Sequence, residues 1–270
     1  MIDHVTDSQI ASYQEDGFLV VEGLLQPSEL EHWRGVIDQA VARFQTRRSP
    51  SESPTAEQTY YRNVFTQCVN LWKTDSEVES LVRDARLGKL AASLSGSIGV
   101  RLYHDHALIK QPWANPTNLH VDNPYDPFYS NKAIMLWVAL DNATLQNGCL
   151  YLLAGTHKQS HFELGGNLRQ ASIGDLFREY PEWEDIEPTA TEMQAGDGIF
   201  ISGLAAHAAG PNMTTKPRRA FAMLYMPEDA VFNGKKSALP DEVFERLDEG
   251  DLLEDDTHLP LIYSTTGTMP

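Results

Sequence analysis

A change of texture at Gly99 constrains this chain more than any other feature. Beyond it, residues 100–109, 134–140, 149–153, 198–202 and 220–225 are short runs rich in branched and aromatic side chains, interrupted by Gly, Pro and Asn. Runs of that length and make-up read as strands. Ahead of Gly99 the signals are helical. Thr6-Asp7-Ser8-Gln9 is a capping box with Gly17 placed to end the helix, and residues 18–21 then form a short buried strand. Pro27 suits the first turn of a second helix, whose Leu30, Trp33, Ile37, Ala40, Val41 and Phe44 make one apolar stripe. Residues 77–84 and 87–94 read as two more, carried by Val78, Leu81, Val82, Leu90, Ala91 and Leu94. Helices first and many short strands afterwards give an α+β protein built on a β-sandwich or barrel, with the helices against its outside.

No internal repeat or linker divides the chain, so a single domain is expected over 1–270: a helical part to about residue 98, a barrel over about 99–227, and an acidic segment over 228–270. Residues 47–54, with two prolines and three serines, read as a mobile loop. The 38 acids against 21 bases leave a formal charge of −17, which repels phosphate backbones and anionic lipid and argues against nucleic-acid or membrane partners. Eleven of those acids fall between Glu228 and Asp256 and read as a solvated surface. Cys68 and Cys149 show no framework or CxxC spacing, the N-terminus lacks the pattern of a signal peptide, and no apolar run reaches about 18 residues. A reduced cytoplasmic protein is the expectation.

His120-Val121-Asp122 follows a Pro/Asn-rich stretch that should hold the chain extended, where residues i and i+2 share a face. Two ligands could then meet a second histidine from a neighbouring strand. A 2-His-1-carboxylate face with open positions is diagnostic of non-haem Fe(II) oxygenases. The triplet alone is not decisive: with 9 histidines and 38 acids in 270 positions, chance gives about one, and His161-Phe162-Glu163 is a second. His104-Asp105-His106 offers a further pair.

The order of motifs adds what the triplet lacks. Tyr13-Gln14-Glu15-Asp16-Gly17-Phe18-Leu19-Val20-Val21 with Leu24, Leu25 and Glu29 comes first, then Leu119-His120-Val121-Asp122 and the run from Trp137 to Thr144. Asn147-Gly148-Cys149-Leu150, Gly155-Thr156-His157, and Gly196-Asp197-Gly198-Ile199-Phe200 leading to His207, Gly210, Asn212 and Arg218 complete the series. In this order the chain resembles the phytanoyl-CoA dioxygenase family of iron and 2-oxoglutarate oxygenases, nearly end to end.

The resemblance implies a double-stranded β-helix, the jelly-roll or cupin-like barrel, with Fe(II) held by His120, Asp122 and His207, and His161/Glu163 excluded. It implies 2-oxoglutarate as co-substrate and O2 as oxidant, and hydroxylation of a C–H bond of a small-molecule substrate with release of succinate and CO2. Arg218, eleven residues past His207, takes the place of the arginine that pairs the distal carboxylate of 2-oxoglutarate, with Trp137 and Tyr103 beside it. Arg219 should point the other way. Asn123, Tyr125, Phe128, His104 and Lys110 flank the metal strand or its neighbour and are candidates for the substrate pocket, with Tyr103 and Asp105 on the opposite face of their strand from His104 and His106. Residues 123–132 are a candidate lid. Two departures from the family stand out: Val121 where many relatives have Gln, and Ala209 where many have a hydroxyl. The same iron centre can also desaturate, epoxidise or rearrange its substrate. Two rivals are a cupin-type metalloenzyme that does not use 2-oxoglutarate, which Arg218 argues against, and a ligand-binding barrel without catalysis, which the intact set of His120, Asp122, His207 and Arg218 argues against.

Overall fold

The computed structural model describes residues 1–47, 60, 63–168 and 172–266. Two antiparallel sheets face each other. The larger runs in the order β1 (Phe18–Val21), β8 (Gly198–Ser202), β5 (Ile134–Ala139), β10 (Arg218–Pro227), β3 (Gly99–Lys110), β11 (Leu261–Ser264), with β2 (Thr66–Val69) also on β3. The smaller has the order β4 (Thr117–His120), β9 (His207–Ala209), β6 (Leu150–Leu152), β7 (Thr189–Thr191). This is the expected jelly-roll sandwich.

Residues of β5 are buried on both faces, which is why its sequence reads as a continuous apolar run and not as an alternation. Ile134, Leu136 and Val138 point outward into a core shared with the helices, while Met135, Trp137 and Ala139 point between the sheets. Phe221, Met223 and Tyr225 of β10 likewise face the helices, and Ala220, Ala222 and Leu224 face inward.

α1 (Asp7–Asp16) is capped as its sequence implies: Thr6 and Gln9 form the box, and Gly17 closes the helix at φ 84°, a left-handed conformation that suits glycine. α2 (Pro27–Arg47) buries Leu30, Trp33, Ile37, Ala40 and Val41. α3 (Ser76–Val82) starts at Asp75, whose carboxylate accepts from the Glu77 and Val78 N–H groups. α4 (Ala85–Ser95) lays Gly88 against Ile262 and Tyr263 of β11.

Three expectations need correction. The barrel is not confined to 99–227: β1 and β2 come from the helical part, and β11 from the acidic segment. β2 pairs with the Lys110 end of β3 and β11 with the Gly99 end, so together they cover one edge. The acidic segment is therefore not only a solvated surface. Its acids are mostly exposed, but Leu239, Val243, Leu253, Leu259 and Ile262 are buried between them, and Asp256 pairs with Arg101. Third, Tyr103 does not face away from His104. The β3–β10 register slips between Leu224 and Tyr225, an extra residue in β3 that turns both side chains to the interior, where their rings lie 4.7 Å apart. Asp105 does face outward, accepting from the Leu71 and Trp72 N–H groups. The expected loop over 47–54 lies outside the described residues except for Arg47, which ends α2. Among the described residues no helix is long and apolar enough to cross a membrane, and Cys68 and Cys149 are buried and not joined in a disulfide.

Candidate metal centre

His120 ends β4 and His207 begins β9, directly opposite each other in the ladder, with ring centroids 4.2 Å apart. Each ring hydrogen-bonds through Nδ1 to the carbonyl two residues before it, His120 to Asn118 at 2.8 Å and His207 to Ala205 at 3.0 Å. A carbonyl only accepts, so Nδ1 carries the hydrogen and Nε2 keeps its lone pair. Both Nε2 atoms face Asp122, at 3.4 Å for His120 and 3.8 Å for His207. Nitrogen and oxygen donors of these three lie within 4.8 Å of one another, the one such group among the described residues.

Strand alternation is not what delivers Asp122. β4 ends at His120, and Asp122 sits at φ −77°, ψ −49°, heading a 3-10 turn over Asn123–Tyr125. The Asn123-Pro124 pair forces that turn: Pro124 has no N–H for a ladder, and the Asn123 N–H is taken by Gly203 O at 2.8 Å. The carboxylate reaches the histidines by folding back. Val121 is buried on the far side of the sheet with Leu153, Leu176 and Trp183, so its departure from the family pattern leaves the cavity unchanged, whereas Ala209 lines it.

Burial opposes ionisation of Asp122, but His207 and His120 outweigh it and hold the carboxyl well below its usual range. Burial, then the neighbouring His120, pulls His207 down to about 4. Neutral imidazoles and an ionised carboxylate are the forms that bind a hard-to-borderline dication.

Arg218 projects from β10 into the same cavity, which has a volume of about 130 Å³ and is lined also by Gln67, His106, Met135, Trp137 and Leu168. Its Cζ lies 5.1 Å from the centre of the Trp137 ring, and one Nη donates to Gly148 O at 3.0 Å. Nε is buried without a partner, and no carboxylate among the described residues pairs with the guanidinium. Burial lowers its pKa to about 10, which leaves it charged at neutral pH. Arg219 points away, as alternation requires, and pairs with Asp141 at 2.6 Å and Asp38 at 2.6 Å. Gly148 sits at φ +92°, and a Cβ there would stand 2.5 Å from Gly210 O and 2.7 Å from Lys110 Cδ. Gly148→Ala is expected to cost about 1–3 kcal/mol, read as a lower urea midpoint, and to weaken anion binding at Arg218.

The remaining expected residues do not gather here. Tyr103 is buried away from the cavity lining, its hydroxyl donating to Ser237 Oγ at 2.9 Å and accepting from the Ala238 N–H at 3.0 Å. Asn123 is fully buried and spends its side chain on its own loop, donating to Asp126 and Phe128 O and accepting from the Ser130 N–H. That knot ties down residues 123–130, the opposite of a free lid. Phe128 packs edge-on against Tyr103 in the core. Tyr125 is half-exposed and its hydroxyl donates to Gly166 O. Lys110 is buried, its Nζ donating to Asn115 O at 2.7 Å and Val64 O at 3.3 Å, and burial with the Arg218 charge pulls it down to about 7. His104 packs edge-on against both Tyr103 and His106 and is not among the lining residues. His161 lies against Tyr180, outside the metal group. His106 lines the cavity from the face it is expected to share with His104, whereas Gln67 carries no sequence signal and enters the lining only through β2.

The comparisons agree with this arrangement. The family model described as phytanoyl-CoA dioxygenase (PhyH) matches residues 13–220. A methylphosphonate hydroxylase from Gimesia maris is 26% identical over 238 residues, covering 85% of this chain and 83% of that one. A phytanoyl-CoA dioxygenase from Arabidopsis thaliana is 23% identical over 260 residues, 83% of this chain and 90% of the relative. Among solved structures, the non-heme alpha-ketoglutarate-dependent carbocyclase SnoK from nogalamycin biosynthesis superposes with a TM-score of 0.77 at 22% identity, over 96% of this chain and 97% of that one. The epimerase SnoN, solved with Fe3+, alpha-ketoglutarate and nogalamycin RO, gives 0.75 at 24% identity, over 95% and 98%. With the family model spanning most of its length, the chain belongs to the phytanoyl-CoA dioxygenase family of iron- and 2-oxoglutarate-dependent oxygenases.

Proposed function

We propose that this chain, working as one domain, hydroxylates an unactivated C–H bond of a small-molecule substrate, with His120, Asp122 and His207 holding Fe(II) and Arg218 holding 2-oxoglutarate. The observation that carries the reading is Arg218: a buried cation with no carboxylate partner among the described residues, opening onto the cavity that contains the three metal donors. A diacid that binds the metal at one end supplies the missing counter-charge at the other. Iron with 2-oxoglutarate and O2 supplies the oxidising power, leaving succinate and CO2.

The chain's own part is geometric. Nδ1–H bonds to Asn118 O and Ala205 O fix the two rings so that Nε2 faces the metal. Asp122 brings the negative charge. Trp137 forms a wall under the guanidinium, and Met135, Leu150 and Leu168 keep the cavity apolar, so that 2-oxoglutarate seated there displaces water from beside the metal donors. Carbocyclase and epimerase neighbours on the same fold make ring closure or epimerisation the second reading. A screen for substrate-dependent succinate formation, with Fe(II), 2-oxoglutarate and O2 each omitted in turn, tests the proposal. Hydroxylation predicts a product heavier by one oxygen, whereas epimerisation leaves the mass unchanged. Succinate formation indifferent to iron would overturn the reading.

A further inference from the structure

One ring in the cavity wall carries a buried nitrogen whose hydrogen has no partner among the described residues. His106 lies on β3 and lines the cavity. Gln67 reaches it from β2, where Val69 is the direct partner of His106, and the Gln67 amide nitrogen stands 2.9 Å from His106 Nδ1. An amide NH2 group donates and does not accept, so Nδ1 is the acceptor and the ring hydrogen sits on Nε2. Burial pulls His106 down to about 4, so the ring is neutral and this tautomer is the one that counts. Nε2 is buried and has no hydrogen-bond partner among the described residues. Asp122 is not the acceptor, since its two oxygens face His120 and His207. A buried N–H without an acceptor, on a ring that lines a cavity, is a standing penalty that a ligand oxygen reaching it would remove.

Cavity size decides which ligand. Its volume of about 130 Å³ falls well below the roughly 300–1,000 Å³ of pockets that enclose drug-sized molecules. A diacid anchored on Arg218 and reaching the metal donors takes most of that space, which leaves its second carboxylate as the oxygen nearest to hand. We propose that His106 is a co-substrate-binding residue, donating from Nε2 to the metal-side carboxylate of 2-oxoglutarate, with Gln67 fixing the tautomer. The proposal rests on the oxygenase reading above.

The test is an anaerobic titration of 2-oxoglutarate into the iron-loaded full chain, followed by its visible charge-transfer band and by calorimetry. His106→Met and His106→Gln are matched in size and differ in the donor. The Met variant should bind 2-oxoglutarate about tenfold more weakly, the loss of one hydrogen bond to a charged group, and the Gln variant should recover most of it. Gln67→Leu, which frees the ring to exchange tautomers, should lose about threefold. Fe(II) affinity should not move in any of the three, which separates a ligand contact from a structural role. Met and Gln variants that bind equally, or a Met variant as tight as the unmodified chain, would overturn the assignment of His106. An unmodified chain that binds no 2-oxoglutarate overturns the oxygenase reading as well, whereas binding that falls with Arg218→Ala but not with His106→Met overturns only this inference.

Discussion

Asp122→Ala is expected to abolish 2-oxoglutarate turnover and to weaken Fe(II) binding by about 100-fold or more. Even outer partners of metal ligands cost 10–100-fold when removed, and a ligand itself costs more. The geometry explains why no neighbour can substitute. Asp122 is the one carboxylate among the described residues that meets both Nε2 atoms. Without it two neutral imidazoles face the dication with no compensating charge. Folding should survive, because the turn that Asp122 heads is held by the Asn123 side chain through Asp126, Phe128 and Ser130. Equilibrium iron binding, succinate release and urea unfolding of the same variant give the three readouts. Full activity in that variant would remove Asp122 from the metal site.

Arg218→Ala should weaken 2-oxoglutarate binding by roughly one to two orders of magnitude while leaving iron affinity intact. A charge-assisted bidentate pair contributes about 1.5–3 kcal/mol, and each 1.4 kcal/mol is tenfold in affinity. Arg218→Lys should restore only part, since an ammonium cannot present two parallel donors above Trp137. Arg219→Ala is the control. It breaks the pairs to Asp141 and Asp38 and should lower stability by about 1 kcal/mol, with 2-oxoglutarate affinity unchanged. Titration of 2-oxoglutarate into each iron-loaded variant decides between the neighbours. If Arg219→Ala is the damaging change, the inward face of β10 is the opposite one.

Sequence pattern exposes the elements whose composition is one-sided. β5 and β10 announce themselves as apolar runs, and the Thr6–Gln9 box with Gly17 marks α1 at both ends. Elements formed by context stay hidden. β2 is Thr-Gln-Cys-Val and β9 is His-Ala-Ala, strands only because β3 and β4 pair with them. The bulge opposite Leu224/Tyr225 carries no glycine to signal it, so simple alternation puts Tyr103 on the wrong face. At the site, the two histidines and the two arginines follow from motif order and strand parity. Asn123, Phe128 and Lys110 lie near the metal strand or its neighbour in sequence, yet each is absorbed by its own loop or core. His106 and Gln67 become neighbours through β2–β3 pairing, which local periodicity cannot reveal.

Because His120 and His207 occupy one rung between β4 and β9, an ion bound to both is also a cross-link. It joins two short strands that lie far apart along the chain and closes a long loop, which is costly in chain entropy for an unfolded polypeptide and costs nothing further in the folded one. The ladder there is interrupted between Thr117 and His120, so few backbone bonds hold these strands together. Loading with metal should therefore act as a mechanical fastener on the smaller sheet: amide exchange in β4 and β9 slows while the larger sheet, anchored on the helices, exchanges as before.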